Sequence, residues 1–144
     1  MKVLLDASVI ITGIHSKLSA SQIILQLSQK GKIKAFVSSI ILSEVVRNLN
    51  KKFPEKILRD FLSYLPKSNF KKIEFRGESE VLKFQDKTAQ KDIHVMAAAY
   101  KAGVNYLVTL DKKHLLSLKN DHFPFTIITP GEFINLIRFG TQDE

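Results

Sequence analysis

The chain has 144 residues, 44% hydrophobic and 25% charged. That composition excludes a disordered, collagen-like or membrane-embedded protein and suits one packed domain, expected to span residues 1–144. Cysteine is absent, which excludes disulfides, thiol nucleophiles and Cys-based metal clusters and leaves Asp, Glu or His for any ion. The 22 Lys and Arg outnumber the 14 Asp and Glu, a net charge of +8 that favours a polyanionic partner such as nucleic acid.

Met1-Lys2-Val3-Leu4-Leu5 begins like a signal peptide, but Asp6 interrupts the apolar run and no small-residue cleavage pattern follows. No stretch approaches the ~18 apolar residues that span a bilayer, so a cytoplasmic protein is expected. Val3 to Leu5 reads as a first buried strand. Ser21 to Lys30 reads as a helix with Ile23, Ile24 and Leu27 inward, closed by Gly31. Ala35 to Val37 is the second strand, and Ser39 is the expected N-cap of a helix to Asn50 with Leu42, Val45, Val46 and Leu49 as its apolar stripe. Pro54 suits the first turn of a helix to about Leu65, with Ile57, Leu58, Phe61 and Leu62 on its apolar side.

Lys72 to Phe75 follows as a short strand and Glu78 to Phe84 as a helix. Asp92 to Lys101, ended by Gly103, is an Ala-rich helix, and Tyr106 to Leu110 is a β-branched and aromatic strand. Phe125 to Ile128 is the last strand. Thr129-Pro130-Gly131-Glu132 then opens a final helix with a Thr cap and a Glu three residues later. Repeated βα alternation predicts an α/β fold, three layers α/β/α with a mostly parallel central sheet.

In such a sheet, ligands bind beyond the carboxyl ends of the strands. Four acids fall there: Asp6 and Asp111 directly after strands, Glu44 about five residues into the second-strand helix, and Asp92 at the start of the Ala-rich helix. Singly, Asp92 and Asp111 suit ordinary helix-start acids and Glu44 a solvated helix position. Asp6 is different, because it lies between Val3-Leu4-Leu5 and Val9-Ile10-Ile11, where a lone buried charge is costly without a partner or cation. As a set, clustered carboxylates repel, and a divalent cation that accepts hard oxygen ligands, Mg²⁺ or Mn²⁺, removes that repulsion.

Over nearly its whole length the chain resembles the PIN domain, a metal-dependent nuclease fold. The opening strand into Asp6-Ala7-Ser8-Val9 is similar to that family's start, and Ile40-Ile41-Leu42-Ser43-Glu44-Val45 to its helical Glu motif. The longest match runs from Lys91-Asp92-Ile93-His94-Val95-Met96-Ala97-Ala98-Ala99 to Gly103-Val104-Asn105-Tyr106-Leu107-Val108-Thr109-Leu110-Asp111. Leu110 departs from the Gly found there in some relatives. The resemblance implies that Asp6, Glu44, Asp92 and Asp111 form a metal-binding catalytic pocket for Mg²⁺ or Mn²⁺, with Ser8 and Thr109 orienting carboxylates. It further implies hydrolysis of RNA to a 5′-phosphate and a 3′-hydroxyl.

Small members of the family include VapC-type toxins, so an antitoxin partner and a homodimer are expectations; the apolar side of the Pro54–Leu65 helix suits either the core or a dimer interface. Arg47, Lys112 and Lys113 are candidate phosphate contacts. Lys51-Lys52 and Lys71-Lys72 read as solvated surface. His94 and His114 read as packing or surface residues, because the four His form no HExxH motif. There is no Walker loop, Gly-x-Gly-x-x-Gly or Gly-x-Ser-x-Gly. The chain lacks the paired acids that a receiver domain carries near its start, and the alternative reading is a PIN-like module that holds RNA or protein without cutting.

Overall fold

The computed structural model describes residues 1–77, 79, 92–119 and 122–140. Five strands, β1 (Lys2–Leu5), β2 (Lys34–Ser38), β3 (Lys71–Ile73), β4 (Tyr106–Val108) and β5 (Thr126–Ile128), form one sheet in the order β3-β2-β1-β4-β5. Every neighbouring pair is parallel. Six α-helices among the described residues complete a three-layer α/β/α arrangement: α1 (Ala7–His15), α2 (Ala20–Gln29), α3 (Ser39–Lys52), α4 (Glu55–Tyr64), α5 (Ile93–Ala102) and α6 (Pro130–Gly140). None is long and apolar enough to cross a membrane.

A sheet covered on both faces needs strands without a polar side. Val3, Leu4 and Leu5 of β1 are fully buried, as are Ala35 of β2 and Leu107 and Val108 of β4. Burying one such Leu or Val side chain stabilises the fold by about 1.5–3 kcal/mol. From β1 the chain steps outward to β2 and β3, then crosses back to place β4 on the other side of β1. The switch in direction falls between β1 and β4, where a crevice opens beyond the carboxyl ends of the strands.

α1 was not anticipated. Its β-branched residues Val9, Ile10 and Ile11 and the mid-helix Gly13 lower helix propensity, yet Asp6 caps it and tertiary packing holds it. Gly13 is needed for that packing: a Cβ there lies 2.5 Å from Leu25 Cδ1 and 3.0 Å from the Ser21 carbonyl oxygen, so α1 and α2 touch backbone to side chain. α5 is buried along one whole stretch, Ile93 to Ala99, and packs on β1, β2 and β3. It ends at Gly103, whose φ of 63° is the left-handed conformation glycine adopts freely.

Several boundaries differ from the sequence expectations. Ser38, not Ser39, caps α3, its hydroxyl accepting from Ile41 N–H at 3.1 Å, because the strand runs straight into the helix. Pro54 stands as the cap before α4 rather than within its first turn. Ile23, Val46 and Leu62 are exposed, not inward; α2 instead buries Ser21, Ile24, Leu25 and Ser28, turning its contact face away from the one the apolar pattern marked. The third strand is Lys71–Ile73 rather than Lys72–Phe75, and β4 ends at Val108 rather than Leu110. The capping box of the last helix is present, with Thr129 Oγ1 accepting from Glu132 N–H and Glu132 Oε1 from Thr129 N–H, both at 3.1 Å. The helix expected over Glu78 to Phe84 lies, apart from residue 79, outside the described residues.

Candidate active site

The register Leu5↔Val108 sets Asp6 beside Thr109, and Asp6 N–H continues the ladder to Val108 O at 3.1 Å. Asp6 then leaves the strand and caps α1, its Oδ1 accepting from Ala7 N–H at 2.9 Å. Its Oδ2 accepts two hydroxyl protons, from Thr109 at 2.7 Å and Ser8 at 3.0 Å. Both hydroxyls have no choice of direction. Thr109 Oγ1 accepts from Asp111 N–H at 3.0 Å, and Ser8 Oγ accepts from Leu110 N–H at 3.1 Å, so the single proton of each is left for Asp6. These bonds also explain why β4 stops early. After Thr109 N–H reaches Ile128 O, the next two amides turn from the sheet to the hydroxyls that hold Asp6. Leu110 needs no glycine there, since Leu18 and Asn69 are the non-glycine residues with positive φ among those described.

Asp6 is buried, and burial pushes its carboxyl above the ordinary value of 3.8; the Thr109, Ser8 and Ala7 bonds oppose that rise, and the nearby charge of Glu44 adds to it. Glu44 lies in α3, which the Ser38 cap starts at the carboxyl end of β2. Asp92 stands at the N-cap of α5, yet its carboxylate makes no cap bond to that helix. Asp111 follows β4, accepting from His114 N–H through Oδ1 at 3.0 Å. Asp6, Glu44, Asp92 and Asp111 line one cleft of about 600 Å³, together with Ser8 and Arg47. Asn48 and Lys52, from later turns of α3, line it as well. Lys112 and Lys113 are exposed on the turn after Asp111 and stand outside the lining.

Two histidines read from the sequence as packing or surface residues touch these acids. His94 is buried, with Nε2 2.6 Å from Glu44 Oε1. His114 Nδ1 lies 3.4 Å from Asp111 Oδ2 and 3.8 Å from Asp92 Oδ2. Ligand atoms of Asp92, Asp111 and His114 all fall within 4.8 Å of one another. The spacing held a signal: His94 is two residues after Asp92 and His114 three after Asp111, so an acid that faces the cleft brings its histidine to the same end of the sheet.

Residues 2–113 match the PIN-domain family. The chain belongs to that family. Among solved structures it is similar to a chain in the crystal structure of VapBC2 from Rickettsia felis bound to a DNA fragment from their promoter, with a TM-score of 0.64, 17% identity, and 90% of this chain and 98% of that one covered. No curated protein matches it. The PIN-domain fold and the cleft therefore coincide: the four acids come from four separate segments of the matched region and meet at its switch point.

The donor set suits a divalent cation. Carboxylates predominate, one of them is buried against its own charge, and three ligand atoms stand close enough to share an ion. Asp92, Asp111 and His114 offer the closest group, with Asp6 and Glu44 on the adjoining walls of the same cleft.

Proposed function

We propose that this PIN-domain protein is a metal-dependent endoribonuclease, acting in the cytoplasm as a single catalytic domain over residues 1–144. The observation that carries this reading is the meeting of Asp6, Glu44, Asp92 and Asp111 in one cleft, an expense of buried like charge that packing alone does not require. Mg²⁺ or Mn²⁺ held by these acids supplies a Lewis acid for the scissile phosphate. The protein's own residues do the rest. Thr109 and Ser8 aim Asp6 by donating to Oδ2 and oppose the rise that burial imposes on its carboxyl. His94 fixes Glu44 through Oε1. Arg47, in the cleft wall one turn from Glu44, is placed to take a backbone phosphate; Lys112 and Lys113 extend that cationic margin outside the cleft.

The likeness to a VapBC2 chain supports a toxin of a toxin–antitoxin pair, with an antitoxin as protein partner. A homodimer through the outer side of α4, where Leu62 is exposed, is part of the same reading. The deciding experiment is cleavage of a mixed-sequence RNA by the full chain with EDTA, Mg²⁺ or Mn²⁺, beside Asp92→Asn. Metal-restored cleavage by the wild type, absent from the variant, is the expected result. RNA that binds and stays intact with every ion overturns the enzyme in favour of a non-cutting binding module.

A further inference from the structure

The acids of the cleft do not offer themselves equally to an ion. Asp6 already accepts three protein hydrogen bonds, and Glu44 has one oxygen engaged by His94. The group whose ligand atoms crowd together contains a nitrogen: Asp92, Asp111 and His114. The backbone that carries that imidazole is held in place. His114 N–H is tied to Asp111 Oδ1, and the Leu115 and Leu116 amides to Asp111 O at 3.3 and 2.9 Å, so one short turn carries both the carboxylate and the ring. Nδ1 sits 3.4 and 3.8 Å from the two acid oxygens. That is longer than a hydrogen bond. It lies between the roughly 3 Å and 4 Å separations of neighbouring and opposite ligands around an ion with bonds of about 2.1 Å.

Resting on the reading that a divalent ion occupies this cleft, we propose that His114 is a nitrogen ligand of that ion, and that the site consequently selects Mn²⁺ over Mg²⁺. Mg²⁺ sheds water reluctantly and takes oxygen donors. First-row ions accept imidazole alongside carboxylate, and more strongly along the series that starts at Mn²⁺. Carboxylates take both ions, so the added preference is assigned to the histidine rather than to the acids around it.

The test is binding, read without cleavage. Free Mn²⁺ is followed by electron paramagnetic resonance as the full chain is titrated, and Mg²⁺ is measured by competition, for wild type, His114→Ala and His114→Asn. Circular dichroism checks that the variants are folded, and His114→Asn keeps a polar side chain in case the alanine protein does not fold. The wild type is expected to bind Mn²⁺ more tightly than Mg²⁺. Both variants lose most of that ratio through weaker Mn²⁺ binding, with Mg²⁺ affinity little changed. Pulsed measurements on bound Mn²⁺ are expected to show ¹⁴N coupling that disappears in both variants. Tight Mn²⁺ binding with unchanged ratio and unchanged ¹⁴N coupling in a folded His114 variant overturns the ligand while leaving the metal-dependent nuclease intact. A wild type that binds neither ion overturns both.

Discussion

The two ends of the sheet show opposite treatments of like charge. At the amino ends of the strands, Lys2 and Lys34 are register neighbours on β1 and β2, Lys71 of β3 is paired with Phe36 of β2, and all three lysines are exposed. Lys2 places its ammonium 5.9 Å from the Phe36 ring centroid, and no Asp or Glu occurs between Asp6 and Glu44. At the carboxyl end four acids converge, with Asp6 and Asp92 buried. The lysines need no fixed partners, because water and salt screen exposed charges beyond about 8–10 Å. The acids have no such relief. Holding Asp6 takes two hydroxyls, one of them 103 residues away in sequence, each locked by a backbone amide. That many specific contacts keeping like charges together is what the proposed metal site requires; the loose lysines ask nothing of the fold.

The contrast breaks most visibly at the acids. Asp92→Asn is expected to reduce single-turnover RNA cleavage by more than about 100-fold, beyond what losing a group that merely holds a ligand costs, while circular dichroism stays that of the wild type. Full cleavage by the folded variant removes Asp92 from the site. Next in size is Thr109→Val, which removes a proton from Asp6 Oδ2 and leaves the Asp111 amide without its acceptor. It should destabilise the protein by about 1–3 kcal/mol in urea and weaken divalent-ion binding by about 10–100-fold. The same substitution would cost neither if the hydroxyl were only a strand-end ornament.

Much of this was legible in the sequence, and what was not has physical causes. Strand identities were readable because Val3-Leu4-Leu5 and Leu107-Val108 are fully buried and so carry no polar residues to confuse the pattern. Three of the acids were readable because Asp6, Asp92 and Asp111 sit where a strand ends or a helix begins, and Glu44 because its helix follows directly on the second strand. α1 was hidden because Asp6 is at once strand end and cap, and Gly13 and β-branched residues look unhelical until α2 packs on them. The end of β4 was set by Ser8 and Thr109, a contact between the start of the chain and residue 110 that no local propensity encodes. The roles of the histidines were hidden because their spacings form no zinc motif, whereas each lies against a carboxylate.

A smaller effect separates buried from exposed acids by pH. The Asp6 carboxyl is raised above 3.8 by burial, so its contribution to stability is full below that value and is lost as pH rises through its folded value. In metal-free protein, wild type should therefore lose stability relative to Asp6→Asn as pH rises above about 4, and saturating Mn²⁺ should remove that loss. Glu132 behaves in the opposite sense: the Lys119 hydrogen bond and the Thr129 amide hold it below 4.5, so its contribution is present above that value and falls away as pH drops. Exposed to solvent, it should amount to no more than a few tenths of a kcal/mol, measured as the pH dependence of the melt with and without Glu132→Gln. A wild type whose stability relative to Asp6→Asn rises toward neutral pH would contradict the burial of Asp6.

The smallest expected effects distinguish cationic residues beside the cleft from those at the far end of the sheet. Each phosphate contact adds roughly 0.7 to the slope of log binding constant against log salt for single-stranded RNA. Lys112→Ala with Lys113→Ala removes two charges from the turn that follows Asp111, and should make that slope shallower by up to about 1.4 units while changing cleavage at saturating RNA much less. Asp111→Asn should do the reverse, losing cleavage and nearly keeping the slope, because it removes no phosphate contact. Lys2→Ala with Lys34→Ala takes the same charge from the amino end, about 13 Å of strand away from Asp6, and should leave the slope unchanged and the stability within about 0.5 kcal/mol. Fluorescence anisotropy across a salt series reads all three. If both double variants flatten the slope alike, RNA follows the net charge of the whole molecule rather than the cationic margin of the cleft, and the division between the two ends of the sheet would hold for catalysis alone.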